Sequence, residues 1–518
     1  MSQQILLDGQ TLTLEALEAI ARGAKVALCP QAARRMQASR DLVERIADGD
    51  EPVYGINTGF GALAETPVAK KDLARLQRNL VVSHAVGVGA PLGEEQTRAL
   101  MALRANVLAR GVSGVRTLLV KRLIIMLNQR IYPLIPCKGS VGASGDLAPL
   151  AHLAMGLIGE GKGRYADGPL MPMGEVLASA GLQAIELAAK EGLGLTNGTQ
   201  AMLAVGSLAL LQAERLADLA DISGACSLEG LLGTNAPFSE LIMEARPHAG
   251  QKRSAERLRA LLANSEVMKS HSDCGKVQDP YSLRCMPQVH GATRGALAHI
   301  RSVLEVELNS ATDNPLIFAD EGLSISGGNF HGQPLALALD YLAIATAELA
   351  NIAERRIEQL VNPALSGLPA FLTPRPGLNS GFMITQVTAA ALINENKVLC
   401  HPASVDSIPS SANREDHVSM GMTSANKACS VIDNVALVLG IELMTACQAL
   451  EFHQPLKAGA GVQAAYELVR TVVMPLEEDR ALSEDMEAMD KLLRGSSLRR
   501  AAEEAAGLVS RDYGAGAA

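Results

Sequence analysis

The sequence predicts a mainly α-helical protein built on a central bundle of long helices, and three observations carry that prediction. Apolar residues make up 48% of the 518-residue chain, yet aromatics are only 3% and Trp is absent. Ala and Leu therefore supply the apolar mass, which suits helices better than sheets. Five stretches, 196–220, 287–312, 333–362, 380–399 and 424–453, each support one long helix. Several run to roughly 20–30 residues, beyond the usual globular mean. They carry apolar stripes and few charges, so they are expected to lie side by side.

The chain can be taken in order around that bundle. Residues 11–49 suggest two short helices flanking an apolar strand-like piece, Lys25-Val-Ala-Leu-Cys29. Tyr54-Gly-Ile-Asn-Thr-Gly-Phe-Gly61 follows; its glycines exclude a regular helix and mark a loop. That loop lacks the Lys-Ser/Thr of a P-loop and the spacing of a dinucleotide fingerprint. Residues 70–86 have helical periodicity, with Leu73, Leu76 and Leu80 on one face, and run into Ser83-His84. Further helices are predicted at 93–110 and 114–131, ended by Pro133 and Pro136.

Next comes Gly139-Ser-Val-Gly-Ala-Ser-Gly-Asp-Leu-Ala-Pro149. Read locally, it is a Gly-rich turn before a helix, with Asp146 as a cap and Pro149 in the first turn. A serine-hydrolase elbow needs Gly two residues after the serine; here Asp146 follows Ser144 at that distance, so that reading fails. The apolar pattern continues to about residue 159 before a turn at Gly159, Gly161 and Gly163 and a small irregular segment. We divide the chain into an N-terminal domain, 1–193, and a long-helix bundle with C-terminal helices, 194–518. The tail from about residue 495 to Ala518 is expected to fray at its end.

Composition excludes several function classes. A net charge of −9 argues against nucleic acid as a partner. The eight cysteines (29, 137, 226, 274, 285, 400, 429 and 447) form no zinc or redox spacing, and read as reduced thiols of a cytoplasmic protein. The N-terminus lacks a basic region followed by an apolar core, so no signal peptide is expected. The longest uncharged run, near 196–212, falls short of a membrane span and reads as a buried helix, so no membrane partner is expected. The apolar surface of the five helices exceeds what one chain buries, which points to a homo-oligomer.

Some residue types already suggest chemistry. Tyr281 and Arg284 are three apart and share a face if that turn is helical. The Arg284 fork suits a carboxylate, although a surface ion pair uses the same group. Asn197 precedes a long helix and can serve as its N-cap. Glu415 sits in the charged run Arg414-Glu415-Asp416 and can be simply a solvated acid; Phe330 can be simply core packing. No histidine spacing supports a metal site, and none is assigned; His401 and His417 are read as stabilising the loop between them.

The stretch Gly139–Pro149 closely resembles the signature of the MIO-dependent ammonia-lyases and aminomutases. Tyr54–Gly61 and four further stretches resemble the histidine-type members of that aromatic amino acid lyase family. These are Thr196-Asn-Gly-Thr-Gln200, Lys276-Val-Gln-Asp-Pro-Tyr-Ser-Leu-Arg-Cys285, Ser326-Gly-Gly-Asn-Phe-His331 and the run from His401 to His417. The matches follow family order over most of the chain. The resemblance implies a helical bundle of the ammonia-lyase/fumarase-like type, with the smaller N-terminal domain bearing the reactive group. That group is 4-methylideneimidazole-5-one (MIO), formed from Ala143, Ser144 and Gly145 when the Gly145 nitrogen closes on the Ala143 carbonyl and two waters leave; no external cofactor is implied. The signature of the fumarase/aspartase enzymes, a rival class of long-helix tetramers, is a Gly-Ser-Ser-containing stretch with a following Met-Pro and Lys, and it is absent.

The implied activity is non-oxidative elimination of ammonia from L-histidine to give trans-urocanate. The alternative is a tyrosine or phenylalanine ammonia-lyase or aminomutase using the same electrophile. The reaction needs an electrophile to improve a poor leaving group and a base for a weakly acidic carbon. By resemblance Arg284 binds the substrate carboxylate, while Tyr281, Asn197 and Gln278 line the site near MIO. Tyr54, carried inward on a lid, is the preferred base and Glu415 the rival. Whether the electrophile meets the amine or the ring stays open. An imidazole both donates and accepts hydrogen bonds, so a histidine pocket needs polar groups; Ser83-His84 and Glu415 fit, and Phe330 contacts the ring. Many histidine-type relatives have Gln where this chain has Arg414, which can alter the charge of Glu415. A homotetramer whose subunits share active sites is also implied.

Overall fold

A computed structural model of the chain describes residues 4–49, 51–59, 61 and 66–509. Phe60 of the glycine loop, the first three residues and the tail from Ser510 onward lie outside the described residues. The fold is mainly α-helical, as composition predicts. Its centre is five long helices: Gln200–Gly230, Met286–Glu307, Gln333–Val361, Met383–Leu399 and Gly421–Glu451. The Gly421–Glu451 helix packs most extensively, against Gln333–Val361 on one side and Gln200–Gly230 on the other. Gln200–Gly230 is buried around nearly its whole circumference, which is why it reads apolar without a clean stripe. Gln333–Val361 and Gly421–Glu451 are long and apolar enough to cross a membrane, but 72% of each apolar window is buried inside the bundle. One large hydrophobic cluster runs from Leu7 to Ala502, and a smaller one gathers Leu42, Val43, Ile56, Leu73, Ala189 and Ile317.

The N-terminal part adds short strands to helices. Leu14–Ala21 starts at Thr13, whose hydroxyl accepts from the Ala16 amide at 3.1 Å. Val26–Leu28 pairs in parallel with Ile5–Leu7. Pro30–Asp48 is 19 residues long, so the second helix of this region is not short. Leu73–His84, Glu94–Ala109 and Thr117–Asn128 stand where periodicity placed them. The segment after residue 160 is more regular than expected. Lys162–Tyr165 pairs antiparallel with both Ile131–Pro133 and Met171–Pro172, and a helix, Met173–Ser179, follows. Runs of two to four residues are too short for a period to be read in the sequence.

Three connections converge at one end of the bundle. The first, around residues 139–146, links strand Pro136–Lys138 to helix Leu147–Leu157. The second, Asn197-Gly198-Thr199, links helix Glu191–Thr196 to Gln200–Gly230. The third links Met383–Leu399 to Gly421–Glu451 and carries Glu415. The first is tied to the third by Met420 N donating to Val141 O at 2.8 Å, and by Ser419 Oγ donating to Gly142 O at 3.1 Å.

Candidate active site

The convergence encloses a cavity of about 1100 Å³. Tyr54, His84, Ala143, Ser144, Asn197, Phe330 and Glu415 all line it. Residues more than 300 positions apart in the sequence thus meet around Ser144.

The turn that carries Ser144 is fixed from below. Gly145 and Gly198 form a parallel bridge: Asp146 N donates to Gly198 O at 2.7 Å and Gly198 N donates to Ser144 O at 3.3 Å. Gly145 has φ +75°, and a Cβ there would stand 2.1 Å from Gly198 O, so only glycine allows this approach. Asp146 starts the Leu147–Leu157 helix but does not cap it with its side chain. Its carboxylate instead accepts from Ser140 Oγ at 2.9 Å and from Met202 N at 2.8 Å, which pins the turn to the first residues of the Gln200–Gly230 helix. Burial pushes the Asp146 carboxyl up to about 6, against those donors.

Ser144 faces two sets of partners. Its carbonyl oxygen accepts from Asn197 Nδ2 at 3.0 Å as well as from Gly198 N. Its hydroxyl donates to Glu415 Oε1 at 2.7 Å. The other oxygen, Oε2, accepts from Ser410 Oγ at 2.7 Å and Ser411 Oγ at 2.8 Å. Burial would raise the Glu415 carboxyl, but these three hydroxyls and the nearby His84 hold it below its usual range. Ser411, Ala412 and Asn413 all lie in the left-handed region, a strained run that brings the hydroxyls of Ser410 and Ser411 onto Glu415.

Tyr54 is half-buried in the same cavity. Burial and the charge of Glu415 raise its phenol above 10, against a backbone hydrogen bond at Gly61. His84 ends the Leu73–His84 helix, with Ser83 Oγ 3.1 Å from its Nδ1. Asn197 is not the N-cap of the long helix: Thr199 holds that position, and Asn197 closes the preceding helix. Its Nδ2 is used on Ser144, while Oδ1 is buried without a partner among the described residues. Arg414 is exposed at the cavity rim.

Three predicted residues stand apart from this cavity within the chain. Gln278 and Tyr281 are exposed, Tyr281 by 71%. Tyr281 and Arg284 do share a helical turn, Tyr281–Arg284, and the guanidinium lies over the phenol ring at 4.5 Å from its centroid. Arg284 Nε is buried without a partner among the described residues.

Other residues enter to which sequence reading gave no role in the site. Ser140, Ser410 and Ser411 act as donors to the two carboxylates. His331 and His417 line the cavity with rings stacked 5.6 Å apart, and His331 Nε2 lies 3.2 Å from His417 O. His417 therefore joins the 326–331 loop to the 401–420 loop. His401 lies elsewhere, its carbonyl held by Lys427 Nζ. Among the described residues no three His, Cys, Asp or Glu side chains form a cluster that could hold a metal ion.

The turn suits ring closure on three counts. Gly145 offers an uncrowded amide, Ala143 a small flank at 5% exposure, and Ser144 O already sits between two donors. Together the cavity offers a polarised carbonyl, an ionised carboxylate, a phenol and an imidazole around one serine.

Comparison with known proteins gives a consistent picture. Residues 12–471 match the aromatic amino acid lyase family. The histidine ammonia-lyase of Myxococcus xanthus is 58% identical over 503 residues, 97% of this chain and 99% of that protein. The crystal structure of histidine ammonia-lyase from Trypanosoma cruzi superposes with a TM-score of 0.91 at 44% identity, covering 99% of this chain and 96% of that one. Tyrosine aminomutase from Streptomyces globisporus superposes with a TM-score of 0.93 at 39% identity, covering 98% and 100%.

Proposed function

The chain belongs to the aromatic amino acid lyase family, and on that premise we propose that it eliminates ammonia from L-histidine to give trans-urocanate, the entry step of histidine breakdown. One observation carries the choice of substrate: a single cavity joins Ala143-Ser144 to both His84 and Glu415. An imidazole can satisfy an ionised carboxylate and a histidine; a phenyl ring would leave one Glu415 oxygen and one His84 nitrogen facing an apolar edge, at a cost of roughly 1–3 kcal/mol each.

MIO, formed from Ala143, Ser144 and Gly145, supplies an electron-poor alkene as the electrophile. Asn197 Nδ2 and Gly198 N draw electron density onto Ser144 O. The Ser144 hydroxyl is lost when the ring forms, which frees Glu415 Oε1 while Ser410 and Ser411 still hold Oε2. The freed oxygen is placed to accept an imidazole N–H, with Phe330 against the ring face. Asn197 Oδ1, without a partner among the described residues, suits a substrate ammonium. The proton acceptor is Tyr54 or Glu415. Glu415 is ionised at neutral pH, whereas Tyr54 needs a nearby cation before it can accept.

Gln278, Tyr281 and Arg284 act in this reading from a neighbouring subunit of a homotetramer, Arg284 on the substrate carboxylate. Support comes from their distance from the chain's own cavity and from bare apolar side chains on the bundle. Leu337, Tyr341 and Ile344 are exposed on one face of Gln333–Val361, and Ile384, Val387 and Val398 are exposed on Met383–Leu399. Light scattering should give four times the chain mass; an active monomer would refute it. Eight free cysteines suit the reducing cytoplasm.

The test is direct. Intact mass should fall about 36 Da below that of the unmodified chain, the mass of two waters. L-histidine should yield the conjugated acid faster than tyrosine or phenylalanine. The likeness to tyrosine aminomutase keeps the aromatic substrates as the second reading, and faster tyrosine turnover would establish it.

A further inference from the structure

We propose that Arg104 is a positioning residue that polarises the Ser144 carbonyl through the single peptide group joining Asn197 to Gly198. This rests on the MIO reading above and adds a residue to it. Arg104 lies on the Glu94–Ala109 helix and is 0% exposed. Its Nη1 donates to Asn197 O at 2.8 Å and to Gln200 Oε1 at 2.6 Å, and its Nη2 donates to Gly194 O. The carbonyl of Asn197 and the amide of Gly198 are two ends of one peptide group. That amide donates to Ser144 O at 3.3 Å. A guanidinium on the oxygen end strengthens the donor at the nitrogen end, because linked hydrogen bonds polarise one another.

Two further observations separate Arg104 from the arginines packed inside the bundle. Arg98, on the same helix, also bonds no carboxylate among the described residues, but it meets Ile20 O, Leu127 O and Tyr132 Oη instead of the turn. Arg257, Arg294 and Arg356 each bond a carboxylate directly. The hydrogen bonds of Arg104 end on two peptide carbonyls and an amide oxygen. Asp313, whose charge reaches it, is itself bonded to Lys190 Nζ at 2.9 Å. The cationic charge beneath the turn is therefore only partly balanced. Burial lowers the Arg104 group to about 10, so it stays charged at neutral pH. The second observation is Gly198. A Cβ there would stand 2.8 Å from Arg104 Nη1 and 2.5 Å from Gln200 Oε1, so glycine at this position admits the guanidinium beside the peptide. Once the Ser144 hydroxyl is lost, Ser144 O is conjugated with the alkene. Density drawn onto that oxygen makes Ser144 Cβ more electrophilic.

The test compares Arg104→Gln, which keeps a neutral donor, with Arg104→Lys, which keeps the charge. The chain has no Trp, so the near-ultraviolet band of the conjugated group stands on a low background. Cyanide serves as the nucleophile, without substrate, and loss of that band reports its addition. Both variants should carry the deficit of about 36 Da. Arg104→Gln should slow cyanide addition and kcat by roughly 10- to 50-fold, with KM for histidine changed less than about threefold. Arg104→Lys should recover most of both rates. Cyanide adding to Arg104→Gln at the wild-type rate would overturn the proposal, as would Arg104→Lys reacting as slowly as Arg104→Gln. An Arg104→Gln protein of full mass would also overturn it, because Arg104 would then be needed to build the turn. Wild-type protein of full mass would remove the MIO reading itself.

Discussion

Glu442 in the middle of the bundle and Glu415 at the cavity bury the same chemical group in opposite ways. Glu442 is fully buried, and both its oxygens are committed to partners that stay. Arg356 Nη2 donates to Oε2 at 3.0 Å, and Ser223 Oγ and Ser227 Oγ each donate at 2.7 Å. Glu415 has serine donors too, but the one on Oε1 is the hydroxyl that the proposed ring closure would remove. Nearby, Asn197 Oδ1 is buried without a partner among the described residues, and three non-glycine residues in a row hold left-handed angles. Full commitment of both oxygens marks Glu442 as a group that holds the fold. An oxygen whose donor can leave, beside local strain, marks Glu415 as a group that receives a ligand in the proposed reading.

The largest expected effect tests the cavity side of this contrast. Ser144→Ala should fold and assemble, show no mass deficit, and lose turnover by at least roughly a thousandfold, since the electrophile cannot form. Turnover within tenfold of wild type would remove Ser144 from the chemistry. Arg356→Met should do the reverse. Leaving Glu442 buried without its cation should cost about 3–5 kcal/mol in a denaturant titration, while kcat per folded protein falls far less than in Ser144→Ala. Equal stability would show that Ser223 and Ser227 suffice to hold the carboxylate. Between the two lies Asn197→Ala, which removes one of the two donors on Ser144 O. It should lower kcat by roughly 100-fold, with little change in melting temperature. A large stability loss with kcat retained would place Asn197 with the structural groups.

The contrast also explains what the sequence could reveal. The bundle helices were legible because Ala- and Leu-rich stretches of that length have few alternatives; each expected stretch falls on an observed helix, although the stretch 196–220 stops ten residues short of the end of Gln200–Gly230. The Ser144 turn and its neighbours were legible because six motifs recur in a fixed order. Arg104 was not, although it left a signal: it is the sole charge in the helical stretch Leu100–Ala109, and an isolated charge there must be buried with a purpose. Ser410 and Ser411 were hidden because their placement depends on a strained turn that no periodicity encodes. Gln278, Tyr281 and Arg284 illustrate a different limit. Their spacing correctly gives one helical turn, but spacing within a chain says nothing about which cavity that turn faces.

The smallest effect separates two aspartates that burial alone would treat alike. Asp146 and Asp221 are both fully buried, which raises each carboxyl. At Asp221, in the bundle, Arg294, His290 and Arg257 outweigh burial and hold the group down. At Asp146 the counterweights are hydrogen bonds from Met202 N, Ser140 Oγ and Ala201 N, with no cation, and the group rises to about 6. Because the folded value lies above the unfolded one, folded protein binds the Asp146 proton more tightly. The stability this gives is fully present below about pH 4 and is lost as pH rises through about 6, an effect of roughly 2–3 kcal/mol. Asp146→Asn cannot titrate there. Its stability relative to wild type should therefore improve as pH is raised from about 4 to 7. Two stability curves that run parallel across that window would mean Asp146 is ionised throughout, held by its donors as firmly as Asp221 is held by its cations.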